Sequence, residues 1–181
     1  MRLLVTGGAG FIASNFIRMV LSEHPDVFLV NLDKLTYAGN LDNLRDIAER
    51  WEGKKYYFVK GDICDHETVK SIFKKYAIDT VVHFAAESHV DRSICGPAEF
   101  VKTNIVGTFN LLEIAREQWG NRDNVRFHHI STDEVFGSAE EGSSFKEDTP
   151  YDPSSPYSAT KASSDHLVRA YNRTYGTPIT I

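Results

Sequence analysis

The stretch Leu3-Leu4-Val5-Thr6-Gly7-Gly8-Ala9-Gly10-Phe11-Ile12-Ala13 decides the fold, because an apolar strand runs into a glycine-rich turn that opens a helix. Glycine at positions 7 and 10 allows backbone angles and close approaches that a Cβ would block. The first amides of the helix are then free to bind a pyrophosphate. Strand, turn and helix in this order are typical of a dinucleotide site, although glycines also serve plain tight turns.

The rest of the chain alternates strand-like and helix-like segments. Strands are predicted over residues 3–6, 27–31, 55–60, 80–84, 125–131 and 179–181, and helices over 11–21, 41–51, 67–76, 97–119 and 156–175. Such alternation joins parallel strands by right-handed crossovers. We therefore expect an α/β fold, a doubly wound parallel sheet (Rossmann fold) with strand order 3-2-1-4-5-6. The polar run 138–153 is predicted to be a loop over a site.

Composition excludes several classes of function. A chain of 181 residues with 41% apolar residues fits one domain, and its net charge of −5 argues against a nucleic-acid partner. No apolar run is long enough to span a membrane. Cys64 and Cys95 are expected to be reduced thiols of a cytoplasmic protein. The histidines lack metal-ligand spacing, so no metal site is predicted.

The second and third strands are each followed by an acidic residue. Asp33 is placed to accept hydrogen bonds from ribose hydroxyls, and its charge would repel a 2′-phosphate, which favours NAD over NADP. Lys34, next to it, partly offsets that repulsion. Asp62-Ile63 follows the third strand, where it either meets the adenine or caps the next helix through Asp62.

The fourth strand ends in small residues. Phe84-Ala85-Ala86 would let the backbone approach the cofactor at the carboxyl edge of the sheet, where ligands of such sheets bind. Ser88, a little further on, is a candidate contact to the substrate. Asp91-Arg92 is equally compatible with a local ion pair that shapes the loop.

A tyrosine and a lysine four residues apart suggest hydride chemistry. Ser155-Pro156 is a good helix start, so Tyr157 falls on the first turn and Lys161 shares its face. A nearby ammonium would favour the phenolate of Tyr157, and the lysine is also able to hold a ribose hydroxyl. The same spacing also occurs on ordinary solvated helices.

The fifth strand runs into Thr132-Asp133-Glu134. The threonine hydroxyl is placed to bind a sugar hydroxyl and the phenol, and the two carboxyl groups suit paired acid and base catalysis. An exposed acidic turn would have the same sequence. If the functional interpretation holds, the reaction moves protons as well as hydride.

These residues together resemble the extended short-chain dehydrogenase/reductase family over the whole chain. The resemblance is carried by TGGAGFIAS, DKLTYAGN, GDI, HFAAESHVDRS, TNIVGT, HISTDEVFGS and SPYSATKASSDHLVRAY. Within the family, the Asp-Glu pair is expected in members that dehydrate sugar nucleotides and not in those that epimerise or decarboxylate them. Two departures are Ala13, where a third glycine is usual, and Phe136, where a tyrosine is common.

The resemblance implies a tightly bound NAD and places its contacts. Phe11 and Ile12 would lie at the pyrophosphate, Asp33, Lys34, Leu35 and Thr36 at the adenosine ribose, Asp62 and Ile63 at the adenine, and Phe84, Ala85, Ala86, Ser88 and Thr103 near the nicotinamide.

The resemblance also implies a reaction. Tyr157 would take the proton of the sugar 4-hydroxyl while C4 gives its hydride to NAD+, and Glu134 would then remove the C5 proton. Asp133 would protonate the leaving 6-hydroxyl, and the hydride would return to C6. The product is a 4-keto-6-deoxy sugar nucleotide. The base and the sugar stay open, since the residues that choose them are expected beyond residue 181.

Members of the family are nearly twice as long as this chain. We therefore expect residues 1–181 to form the NAD-binding domain with the catalytic residues, and the C-terminal substrate region to be missing, in a fragment or a naturally short relative. An epimerase or decarboxylase, and an NAD-binding module without catalysis, are the alternatives. Relatives pair as homodimers through helices 97–119 and 156–175, but outer residues such as Phe109 and Leu167 are also able to pack within one chain.

Overall fold

A computed structural model describes residues 1–139, 142 and 144–181. The strands are β1 (Arg2–Thr6), β2 (Phe28–Asp33), β3 (Tyr56–Lys60), β4 (Thr80–His83), β5 (Arg126–His129) and β6 (Ile179–Thr180). The helices are α1 (Phe11–Glu23), α2 (Arg45–Trp51), α3 (His66–Tyr76), α4 (Val90–Cys95), α5 (residues 98–119) and α6 (Pro156–Tyr175). Short 3-10 helices cover Leu41–Leu44 and Asp133–Phe136.

The six strands form one parallel sheet in the order β3-β2-β1-β4-β5-β6, which confirms the predicted fold class. β1 lies in the middle and pairs on both sides, with Val5 opposite Asn31 of β2 and opposite Val82 of β4. All strands therefore end at the same edge, and the order reverses beside β1. This switch point is where open α/β sheets bind ligands.

Helices cover both faces of the sheet, and neighbouring residues of β1 bury themselves on opposite sides. Leu3 and Val5 pack in one apolar cluster with residues of α1 and α2. Leu4 packs in the other cluster with residues of α3, α5 and α6. A strand buried on both faces reads as a continuous apolar run, which is why Leu3-Leu4-Val5 predicted it well.

Several predicted boundaries are wrong by a few residues. β2 begins at Phe28 and runs on to Asp33, and β5 is shorter than predicted, ending at His129. Apolar residues next to a strand pack into the core without joining the ladder, and Val125 is one of them. Helix α4 was not predicted, because its six residues, half of them polar, make fewer than two helical turns and show no helical period.

The predicted long helix before β5 begins at Ala98 and contains a π-type segment, Val101–Gly107, before ordinary α-helix resumes at Thr108. π turns place an extra residue in the helix and often mark functional sites. At the end of this segment a Cβ on Gly107 would lie 2.5 Å from Cδ1 of Ile63. Glycine therefore lets α5 lie against Ile63, in the turn after β3.

No helix in the described part of the chain is long and apolar enough to cross a membrane. Cys64 and Cys95 are both free thiols. Among residues 1–139, 142 and 144–181, no group of three or more histidine, cysteine, aspartate or glutamate side chains is arranged to hold a metal ion.

Candidate active site

A cleft of about 380 Å³ opens at the carboxyl ends of the strands, beside the switch point. Its wall contains nearly every residue predicted to bind the cofactor, from segments up to 154 residues apart in sequence. These are Gly7, Gly10, Phe11, Ile12, Asp33, Lys34, Thr36, Asp62, Ile63, Phe84, Ala85, Ala86, Ser88, Thr103, Tyr157 and Lys161. Leu35 does not line it, and neither do Thr132, Asp133 and Glu134.

The glycine-rich turn closes the floor of this cleft. Gly7 has a φ of +70°, and a Cβ there would lie 2.8 Å from the backbone N and Cα of Ala85. The turns after β1 and β4 therefore touch through their backbones. Gly10 precedes α1 without a side-chain cap, so the first amides of the helix face the cleft uncapped.

Asp33 ties the end of β2 to the glycine-rich turn. Its Oδ2 accepts the backbone N–H of Ala9 at 2.9 Å, and its Oδ1 accepts that of Leu35 at 2.7 Å. Leu35 has a positive φ of 58°, rare for a residue with a branched side chain. The side chain of Leu35 does not line the cleft, and its backbone N–H donates to Asp33, so its contact with the cofactor stays a prediction.

Lys34 pairs with Asp62 across the mouth of the cleft. Nζ of Lys34 lies 2.8 Å from Oδ2 of Asp62, and this contact raises the pKa of Lys34. The positive charge of Lys34 is therefore partly compensated by the carboxylate of Asp62. Asp62 does not cap α3, because Asp65 does so by accepting the N–H of Thr68. Of the two interpretations of Asp62, the helix cap is wrong.

A buried asparagine fixes the loop after β4, and it was not among the predicted residues. Asn104, in the π segment, accepts the N–H of Glu87 at 2.8 Å and donates to its carbonyl at 3.0 Å. Its Nδ2 also donates to Oγ1 of Thr160 in α6 at 2.9 Å. One amide thus holds the cleft wall containing Ser88 against α6. Asn104 lies four residues after buried Phe100 and seven before buried Leu111, and a polar residue at that spacing is the signal that would have found it.

Tyr157 lies where predicted, on the first turn of α6. Ser155 caps this helix in a reciprocal capping box with Ser158, and Pro156 occupies the first helical position. The pKa of Tyr157 is raised, mainly by burial, and the negative charges of Glu134 and Asp133 add to that shift. The hydroxyl of Thr132 works in the opposite direction and favours the phenolate.

Lys161 is buried one turn further along α6 and donates to the carbonyl of Ile130 at 2.6 Å. Burial lowers its pKa to about 8. We expected its ammonium to lower the pKa of Tyr157, but that pKa is raised. The ammonium is aimed at the end of β5 instead of at the phenol, and desolvation of the phenol prevails.

Thr132, Asp133 and Glu134 form the start of a 3-10 turn just outside the cleft wall. The hydroxyl of Thr132 caps the turn by accepting the N–H of Glu134 at 3.3 Å. Both carboxyl groups are exposed, yet both act electrostatically on Tyr157. The structure therefore brings this triplet beside the phenol, on the outer side of the site.

Two buried histidines lie beneath the reacting end. Nδ1 of His83 lies 2.7 Å from Oγ1 of Thr6, and its Nε2 lies 2.9 Å from Oγ1 of Thr108. Thr108 gives its own proton to the carbonyl of Asn104, so Nε2 of His83 must donate and Nδ1 must accept. A neutral imidazole meets both demands. Burial lowers the pKa of His83 and that of His129.

Comparisons with family models and with curated proteins both identify nucleotide-sugar 4,6-dehydratases as relatives. A family model described as GDP-mannose 4,6 dehydratase matches residues 4–181. The chain is 54% identical to the dTDP-glucose 4,6-dehydratase of Salmonella typhimurium over 192 aligned residues, which cover 98% of this chain and 52% of that protein. The chain thus spans about half the length of the curated relatives it matches.

Solved structures agree with this similarity. The dTDP-glucose 4,6-dehydratase of Streptomyces venezuelae, solved with NAD bound, superposes with a TM-score of 0.88 at 48% identity, over 99% of this chain and 54% of that one. The UDP-glucose 4-epimerase of Thermus thermophilus, also solved with NAD, superposes with a TM-score of 0.85 at 32% identity, over 99% and 53%.

The buried histidines predict acid sensitivity. Their pKa values in the folded chain lie below the ordinary value of about 6.5. As the pH falls, the unfolded chain therefore binds more protons than the folded chain does. The free energy of unfolding should therefore be fully retained above about pH 6.5 and fall below it by about 1.4 kcal/mol per pH unit for each histidine. Urea unfolding at pH 7.5, 6.5 and 5.5 measures this slope.

His129→Gln should lower the slope by about a third to a half, because the pKa of half-buried His128 is lowered as well. His24→Gln, at an exposed position, should leave the slope unchanged. A free energy of unfolding that stays constant from pH 7.5 to 5.5 would show that these histidines are not held neutral by the fold.

Proposed function

The chain belongs to the GDP-mannose 4,6 dehydratase family, and on that premise we propose that it is the cofactor-binding and catalytic part of an NAD-dependent dTDP-glucose 4,6-dehydratase. The observation that carries the proposal is the set of groups at the reacting end, Tyr157 and Lys161 on α6 beside the Thr132-Asp133-Glu134 turn. The dehydratases of Salmonella typhimurium and Streptomyces venezuelae are the relatives that support the substrate.

The cleft fits NAD. Close contact between Gly7 and Ala85 leaves the uncapped start of α1 open to a pyrophosphate, and Asp33 stands one strand away for the adenosine ribose. Asp62 and Ile63 would meet the adenine, and Phe84 to Ser88 with Thr103 would line the nicotinamide. When bound, NAD+ takes a hydride from C4 of the sugar and later returns it to C6.

The proton steps fall to four side chains. Tyr157 accepts the proton of the 4-hydroxyl, assisted by the hydroxyl of Thr132, which also holds the sugar. Lys161, one helical turn away, would stay a cation and hold a ribose hydroxyl of the cofactor. Once C4 is a ketone, the C5 proton is acidic enough for Glu134 to remove, and Asp133 protonates the leaving 6-hydroxyl. As the hydride reaches C6, Glu134 returns a proton to C5, so Glu134 acts at C5 in both directions and Asp133 acts at the leaving hydroxyl.

A 4-epimerase is the second candidate, since the UDP-glucose 4-epimerase of Thermus thermophilus superposes over almost the whole chain. Epimerisation needs the hydride to leave and return at C4 and does not need a carboxyl pair. Asp133-Glu134 next to Tyr157 therefore favours the dehydratase. Formation of a C4-inverted sugar without a 4-keto-6-deoxy product would favour the epimerase.

We also propose that α5 carries a homodimer interface, as expected from the resemblance. Val101, Val106 and Phe109 leave 46–47% of their surface exposed and follow one another at helical spacing. Leu167 of α6, in contrast, packs against the core of its own chain. The apolar stripe on α5 supports association, and Leu167 does not.

Cofactor choice gives the first test. The chain should bind NAD+ more tightly than NADP+, because the carboxylate of Asp33 repels a 2′-phosphate. Asp33→Asn should reduce the ratio of the dissociation constant for NADP+ to that for NAD+ at least about tenfold. Isothermal titration of both cofactors measures the ratio. Asp26→Asn, at an exposed position away from the cleft, is the control. Equal affinity of the unaltered chain for the two cofactors would contradict the proposal.

Glu134→Gln separates the two halves of the reaction. In the full gene product, a single turnover with dTDP-glucose should still produce NADH, followed at 340 nm, because oxidation at C4 uses Tyr157. Formation of the 4-keto-6-deoxy product should fall by about 10²–10⁴, the usual contribution of a general base. Glu147→Gln, an exposed acid of the following loop, should leave both signals unchanged. Loss of NADH formation in Glu134→Gln would contradict the assigned role.

The dimer has its own test. Phe109→Glu should lower the sedimentation coefficient from that of a dimer to that of a monomer, since a buried charge at an apolar interface is costly. Met19→Glu, an equally exposed apolar residue on α1, should not. A monomeric unaltered protein at micromolar concentration would refute the interface.

A further inference from the structure

Asp165 is a fully buried acid that the proton steps do not use. It follows Tyr157 and Lys161 at intervals of four residues on α6, and Arg169 continues the series. The four side chains therefore lie along one stripe of the helix. Asp165 has 0% of its surface exposed and Lys161 has 4%.

The carboxylate of Asp165 binds two hydroxyl groups from other segments. Oδ2 accepts from Oγ of Ser131 at 2.6 Å and from the phenol of Tyr151 at 2.8 Å. Oδ1 lies 3.2 Å from Nε2 of His129, but the angle between them is not that of a hydrogen bond. Its firm partners are thus the two hydroxyls.

Both hydroxyls belong to segments that frame the reacting end. Ser131 lines the cleft directly before the catalytic turn. Tyr151 also accepts from Arg169 at 2.9 Å, and its neighbour Asp152 donates its N–H to the carbonyl of Val135 at 3.0 Å. One carboxylate therefore fastens the end of β5 and residues 151–152 to the helix that carries Tyr157. The predicted loop 138–153 includes residues 140, 141 and 143, which lie outside the described residues.

Lys161 needs a buried counter-charge. Its Nζ donates to a neutral carbonyl, and an ammonium in an apolar environment is costly unless it is paired. The titratable groups that face the Lys161–Asp165 pair are His83 from β4, His129 from β5, Tyr151 from the loop, and Tyr157 and Arg169 from α6. The histidines and the two phenols are neutral and Arg169 has the wrong sign. Asp165, one turn further along α6 and more than 4.0 Å from Nζ of Lys161, is the negative charge that remains.

We propose that Asp165 is a positioning residue that serves as the buried counter-ion of Lys161 and fastens Ser131 beside it. The proposal rests on the proposed function, in which Lys161 acts as a cation next to Tyr157. Asp165 touches neither cofactor nor sugar and acts only through its neighbours.

The electrostatics agree with this geometry. Burial lowers the pKa of Lys161, and the charge of Asp165 is what raises it again. Burial raises the pKa of Asp165, but its contacts with His129, Ser131 and Tyr151 lower it by more, so the carboxylate stays ionised. Without that charge, Lys161 would lose its proton at a lower pH, and the alkaline limb of the pH–rate profile would move in the same direction.

The test measures the titration of Lys161 directly and needs neither cofactor nor substrate. Lysine labelled with ¹³C at Cε is followed by NMR from pH 6 to 11, and Lys161→Arg assigns the resonance. Asp165→Asn should lower the midpoint by about one pH unit or more. Tyr151→Phe keeps the charge and loses one hydrogen bond, so it should shift the midpoint far less. Equal midpoints in the unaltered chain and in Asp165→Asn would overturn the proposal.

A second measurement covers the case in which Asp165→Asn folds but is too unstable for the titration. The double variant Asp165→Asn/Lys161→Met removes both charges, and its urea midpoint should exceed that of Asp165→Asn, because no ammonium is left unpaired. A double variant no more stable than Asp165→Asn would show that the carboxylate does not compensate Lys161. Because neither readout involves catalysis, failure here is distinguishable from failure of the dehydratase proposal.

Discussion

Parallel pairing of β1 on both sides is the constraint from which the site follows. With β2 on one side and β4 on the other, the chain must leave β1 toward one face of the sheet and leave β4 toward the other. The two departing backbones touch at Gly7 and Ala85, and the cleft opens beside this contact. The residues proposed to bind the cofactor line this cleft.

The reacting end depends on buried polar groups more than on apolar packing. Thr6, His83, Thr108 and Asn104 form a continuous chain of hydrogen bonds from β1 to the loop after β4. Asp165 forms a second one between α6, β5 and the 151–152 segment. Such networks hold only one arrangement well, since each unsatisfied member is costly. They explain how short turns keep reactive side chains in place.

Much of this was predictable from sequence, for identifiable reasons. Continuous apolar strands and the Ser155-Pro156 helix start are local signals, so the strand order and the place of Tyr157 came out correctly. The π segment was not predictable, because Val101–Gly107 has no residue that forbids an α-helix. Asn104 and Asp165 were missed because their partners lie up to 56 residues away, and only the folded chain brings them together.

The bond between Asp33 and Ala9 limits how this protein is able to change over evolution. The residue proposed to select the cofactor is also the residue that shapes the phosphate turn. A lineage that drifts toward NADP+ cannot simply exchange this acid for a small or basic side chain, because the turn would lose its support in the same step. Compensation elsewhere in the turn would have to come first, which would make the proposed cofactor preference hard to reverse.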